Sequence, residues 1–88
     1  MKKIIVIDDD PVINFICKKF IQHLAPEIEV IGFTNPIEAF NYLKKYNKKE
    51  NFPILLDLNM PEMSGWEFLD KCNKNNFVYE FFILSSSI

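Results

Sequence analysis

Three consecutive carboxylates, Asp8, Asp9 and Asp10, close the aliphatic run Ile4-Ile5-Val6-Ile7. A β-branched run of this kind reads as a buried strand. Carboxylates at the carboxyl end of such a strand stand where open α/β sheets bind their ligands. Like charges held together repel one another, which is costly. A hard divalent cation is the usual means of offsetting that cost. A further carboxylate, Asp57, closes a second aliphatic run, Ile54-Leu55-Leu56. Taken alone, Asp57 is as readily the cap of a turn as a reactive group. Asp10 precedes Pro11 and is better placed to cap a helix than to hold a metal.

The elements that position these groups follow from hydrophobic spacing. Residues 3–8 read as the first strand. Asp10 and Pro11 open a helix in which Ile13, Ile16, Cys17, Phe20, Ile21 and Leu24 recur at helical spacing. Ala25-Pro26 ends it, and residues 28–33 read as a second strand. Asn35-Pro36-Ile37-Glu38 is a helix start, with Phe40 and Leu43 on its apolar face. The polar tract from Lys44 to Asn51 leads to a third strand at 53–58. Ser64-Gly65-Trp66-Glu67 matches a capping box and opens a third helix with Phe68, Leu69 and Cys72 inward. Asn73 to Asn76 reads as a turn, and residues 78–84 as a fourth strand. Strands alternating with helices imply a parallel sheet covered on both faces through right-handed crossovers. Three strand ends then carry oxygen side chains: Asp8 to Asp10, Asp57, and Ser85.

A chain of 88 residues fits one small domain with a modest core. The net charge of −2 gives no electrostatic case for nucleic acid or an anionic membrane. No stretch is long enough to span a bilayer. The chain begins with a core strand rather than a signal peptide, so a cytoplasmic location is expected. Cys17 and Cys72 both fall on apolar helical stripes, where buried free thiols are expected. His23 and Trp66 read as surface or packing residues rather than ligands.

The segment Leu55-Leu56-Asp57-Leu58-Asn59-Met60-Pro61, then Met63-Ser64-Gly65-Trp66-Glu67, together with Val6-Ile7-Asp8-Asp9-Asp10-Pro11, resembles the receiver domain of two-component response regulators. Ile83-Leu84-Ser85-Ser86 is similar to that family's fourth-strand motif. The resemblance runs over the whole chain. It implies a three-layer α/β/α, flavodoxin-like parallel sheet of order 2-1-3-4-5. It further implies that Asp57 is the phosphoacceptor, taking a phosphoryl group from a sensor histidine kinase or a phosphotransfer protein. Asp8 and Asp9 would hold Mg²⁺ (or Mn²⁺), Asp9 directly and Asp8 partly through water. Asp57 and the backbone carbonyl of Asn59 would be further ligands, and Ser85 the switch hydroxyl. The output would pass to a downstream protein target. Residue chemistry agrees. Carboxylates are competent nucleophiles toward phosphorus, and phosphoryl transfer mostly needs positioning and charge neutralisation.

The family's domain continues through a fourth helix, a fifth strand and a fifth helix, so residues 1–88 are expected to be a receiver incomplete at its C-terminus. No residue here is equivalent to the lysine that follows the fifth strand. The fourth strand, with Phe81, Phe82, Ile83 and Leu84, is then expected at the sheet edge, open to homodimerisation or domain swapping. The leading reading is a signalling module and not an enzyme. An alternative is a haloacid-dehalogenase-like phosphatase, whose first motif Ile4 to Val12 also resembles, with Asp8 as nucleophile, Asp10 as general acid and Ser85 as the hydroxyl of its second motif; this leaves Asp57 idle. A third reading is a binding module of receiver shape that is not phosphorylated.

Overall fold

A computed structural model describes residues 2–46 and 51–84. Strands and helices alternate: β1 (Lys3–Ile7), α1 (Pro11–Leu24), β2 (Glu29–Phe33), α2 (Pro36–Tyr46), β3 (Pro53–Asp57), α3 (Gly65–Lys74) and β4 (Glu80–Leu84). The strands are all parallel and lie in the order β2-β1-β3-β4. The sheet is parallel, as the alternation implies, and its order is the first four strands of the flavodoxin-like order that the resemblance implies.

Register assigns the faces. Ile5 pairs with Ile31 and Ile54, and Ile7 with Phe33 and Leu56. Paired residues of parallel strands share a face, so these form one apolar surface. Helices α2 and α3 cover it, and Ala39, Phe40, Leu43, Phe68 and Cys72 join the strand residues in one buried cluster. Phe68 meets Phe40 edge-on at 6.3 Å and Phe81 at 6.4 Å between ring centroids, which links both helices to the sheet. The alternate row, Val6, Gly32, Leu55 and Phe82, lies on the opposite face, where α1 packs on β1 and β2. Lys3, at the start of β1, reaches the aromatic side chains of α2 and of Phe52, just ahead of β3. Its ammonium donates to the Tyr42 hydroxyl at 2.8 Å and lies 4.8 Å from the Tyr46 ring centre and 5.4 Å from that of Phe52.

Several expectations are corrected. The stripe of α1 is mostly uncovered: Ile16, Phe20 and Leu24 are more than half exposed, and Ile13, Cys17 and Ile21 are only half-buried. The buried residue of α1 is Asn14. Periodicity identifies an apolar face but not how much of it finds a partner; α1 packs on β1 and β2, and its stripe outruns that contact. Leu69 is likewise half-buried. Strand ends shift by a residue or two, leaving Asp8, Ile28, Leu58 and Val78 outside the ladders. Helix α3 runs to Lys74, past the expected turn at Asn73. It closes through Asn76, whose φ of 59° is the left-handed conformation that asparagine tolerates. Part of the expected polar loop, 47–50, and Ser85 lie outside the described residues. Among the described residues no helix is long and apolar enough to cross a membrane.

Candidate functional site

Strands β1 and β3 are neighbours, with Ile7 paired to Leu56. The next residue along each is Asp8 and Asp57, so the two carboxylates emerge side by side at the carboxyl end of the sheet. Asp9 follows on the turn out of β1. One carboxylate oxygen each from Asp8, Asp9 and Asp57 lies within 4.8 Å of the others. Asp8 and Asp57 are each 5% exposed, and Asp9 is half-buried. The fold therefore brings together the three carboxylates that the sequence places at strand ends.

Local hydrogen bonds set the carboxylates' orientations. Asp8 Oδ1 accepts from the Asp10 N–H at 2.9 Å, and Asp57 Oδ1 from the Asn59 N–H at 3.1 Å. Burial raises the Asp8 carboxyl above its ordinary pKa. The Asp10 N–H opposes that rise, while repulsion from Asp57, Asp9 and Asp10 adds to it. Asp10 stands apart: its Oδ1 accepts from the Val12 N–H at 2.9 Å, capping α1 ahead of Pro11. Asn59 is an exposed residue on the turn beyond Asp57.

The return of the chain from β3 into α3 is tightly specified. The Ser64 hydroxyl accepts from the Glu67 N–H at 3.1 Å, and the Ser64 N–H donates back to Glu67 Oε1 at 3.2 Å. The Gly65 N–H donates to the Leu58 carbonyl at 3.0 Å. A Cβ on Gly65 would stand 2.6 Å from the Asp57 carbonyl oxygen and 2.7 Å from Leu58 Cα. Glycine is thus required by close backbone approach under Asp57.

Sequence reasoning passed over Asn14. Its Nδ2 donates to the carbonyl oxygens of Asp8 at 3.1 Å and Phe33 at 2.9 Å. The available signal was a lone polar residue amid Ile13, Ile16 and Cys17. Other candidates stay outside the cluster. His23 is exposed in the last turn of α1, and Trp66 is exposed on the first turn of α3. Cys72 is buried and its thiol is pushed up to about 12, mainly by burial. Cys17 is half-buried, less than expected.

The donor set is entirely carboxylate oxygen, and two of the three groups are almost fully buried. That set fits a hard cation such as Mg²⁺ or Mn²⁺ better than a soft metal. The model of the response regulator receiver domain matches residues 4–87.

The chain belongs to the response regulator receiver domain family.

This receiver is 37% identical over 87 residues to the nitrate/nitrite response regulator protein NarL of Escherichia coli K12, covering 96% of the chain and 38% of that protein. It is 35% identical over 72 residues to a protein-glutamate methylesterase/protein-glutamine glutaminase of Agrobacterium fabrum C58, covering 81% of the chain and 19% of that protein. The receiver thus spans well under half the length of these curated relatives. Its fold is that of a CheY-like receiver domain protein from Methanospirillum hungatei JF-1, with a TM-score of 0.82 at 21% identity over 96% of this chain and 64% of that one. A response regulator receiver protein from Dyadobacter fermentans DSM 18053 gives a TM-score of 0.84 at 22% identity, over 100% of this chain and 71% of that one. Family membership, and the engagement of Asp10 as a helix cap, favour the receiver reading over the phosphatase one.

Proposed function

We propose that this receiver accepts a phosphoryl group on Asp57, with Asp8 and Asp9 holding a divalent cation beside it. The donor is the phosphohistidine of a sensor kinase or phosphotransfer protein. A downstream protein reads the phosphorylated state, and the domain acts as a signalling module rather than an enzyme. The observation that carries this reading is the convergence of the Asp8, Asp9 and Asp57 oxygens within 4.8 Å at the ends of two adjacent strands.

In the transfer, a carboxylate oxygen of Asp57 attacks phosphorus, the P–N bond to the donor imidazole breaks, and the imidazole nitrogen takes a proton from water. The Asn59 N–H at 3.1 Å fixes the rotation of the Asp57 carboxylate for in-line approach. A bound divalent cation would neutralise charge on the transferring oxygens. Asp8 and Asp9 anchor that charge beside Asp57, and the low exposure of Asp8 and Asp57 limits competing water. The Asn59 carbonyl and the Ser85 hydroxyl are proposed to join as a further ligand and as the switch.

The test is incubation with acetyl phosphate and Mg²⁺, followed by intact mass. The wild-type chain gains one phosphoryl group. The adduct is lost in Asp57→Asn and on chelation, and forms more slowly in Asp8→Asn. A folded wild-type chain that gains no adduct, or an adduct that survives Asp57→Asn, would overturn the reading.

A further inference from the structure

Asn14 is a polar side chain, 7% exposed, on the sheet-facing side of an otherwise apolar helix stripe. Its amide joins three elements. Nδ2 donates to the Asp8 carbonyl at 3.1 Å and to the Phe33 carbonyl at 2.9 Å. The Asp8 N–H donates to the same Phe33 carbonyl at 3.1 Å. The Asn14 N–H itself donates to the Asp10 carbonyl at 3.0 Å. The ends of β1 and β2 and the first turn of α1 are therefore tied at one point.

That point is the main chain of Asp8, which carries one of the carboxylates and leads into Asp9. The carbonyl Asn14 holds belongs to the peptide whose nitrogen is that of Asp9. A peptide unit is planar, so holding the Asp8 carbonyl fixes the direction in which the chain leaves toward Asp9. β2 makes room for this. A Cβ on Gly32 would collide with Asn14 Oδ1 and stand 2.9 Å from its Cγ. Gly32 has no positive φ, so glycine is needed there for space rather than for backbone conformation. Two residues far apart in sequence thus form a seat and its occupant.

We infer that Asn14, seated on Gly32, is a positioning residue of the carboxylate cluster, setting Asp9 against Asp8 and Asp57 through the Asp8 carbonyl. The inference rests on the cation site proposed above for its functional consequence. Asn14 acts through the Asp8–Asp9 peptide and not on the reacting atoms. A role confined to satisfying buried carbonyls would cost stability alone.

The test uses the whole chain with three substitutions. Asn14→Leu keeps the size and removes the donor, Gly32→Ala unseats the asparagine without touching the cluster, and Cys72→Ala perturbs the core on the opposite face. Two quantities are read. One is the Mg²⁺ dissociation constant by calorimetry. The other is metal-free amide exchange at Asp10, whose N–H is bonded to Asp8 Oδ1 at 2.9 Å, relative to amides in β3. Asn14→Leu is expected to weaken Mg²⁺ by about tenfold or more, the range seen for groups that orient metal ligands. Gly32→Ala moves binding in the same direction, and both selectively lose Asp10 protection. Cys72→Ala lowers the denaturation midpoint and changes neither quantity. Wild-type binding and protection in both Asn14→Leu and Gly32→Ala would overturn the inference. If the wild type binds no Mg²⁺ while Asp10 protection still falls selectively, the cation reading fails and the positioning role stands.

Discussion

The α-carbon of Gly65 points at the backbone of Asp57 so closely that a β-carbon there would stand 2.6 Å from the Asp57 carbonyl oxygen. Real β-carbons do not approach a carbonyl this closely, so Gly65→Ala must push either the β3 end or the α3 start. Overpacking of this kind costs about 1–3 kcal/mol. The displacement falls on the residue proposed to react. Urea denaturation is expected to show a loss of that size, with slower phosphoryl uptake than a core variant of equal instability. Unchanged stability and uptake in Gly65→Ala would show that the loop relaxes freely.

The Asp8 carboxyl sets a pH dependence whose sign can be worked out. Burial holds its pKa above the ordinary value of 3.8, with the Asp10 N–H opposing and the Asp57, Asp9 and Asp10 charges adding to the rise. The folded chain therefore binds this proton more tightly than the unfolded chain. The resulting penalty is complete above the folded pKa and is relieved as pH falls from there toward 3.8. Metal-free Asp8→Asn is expected to be more stable than wild type at neutral pH, and the gap should close on acidification. Mg²⁺ should reverse the order by stabilising wild type. A ligand at about 100 times its dissociation constant contributes roughly 2.7 kcal/mol, and chelation removes it. Denaturation midpoints across pH, with and without Mg²⁺, check both parts. A gap that widens on acidification would contradict the burial of Asp8.

The sequence made the cluster legible because strand ends are legible. Asp8 and Asp57 terminate aliphatic runs, and the strand order that places β1 beside β3 brings them together. The Asp10 cap and the Ser64–Glu67 box were readable for a local reason, since each involves backbone a few residues away. Asn14 stood out only as a lone polar residue, and its pairing with Gly32 was not readable, because that fit depends on where α1 crosses β2. The coverage of α1 was also out of reach. Spacing identified Ile16, Phe20 and Leu24 as one face, whereas their exposure depends on neighbouring elements that local periodicity does not describe.

That exposure has a measurable consequence for the 88-residue chain. Among the described residues β4 pairs with β3 alone, and its Phe82 and Ile83 are 48% and 44% exposed. Helix α1 separately exposes Val12, Phe15, Phe20 and Leu24, each by at least 60%. An apolar edge strand presents unpaired N–H and C=O groups together with adhesive side chains. A stable dimer interface needs about 800 Å² per partner, and an apolar edge strand of this kind is a surface that can contribute to it. Light scattering on a sizing column is therefore expected to show concentration-dependent self-association. Phe82→Lys should suppress it, because lysine on an edge strand opposes pairing. Substituting an exposed polar residue away from β4, such as Asn41→Lys, should leave it unchanged. A chain that stays monomeric at all concentrations, with the same unfolding midpoint in Phe82→Lys, would mean that the edge is protected.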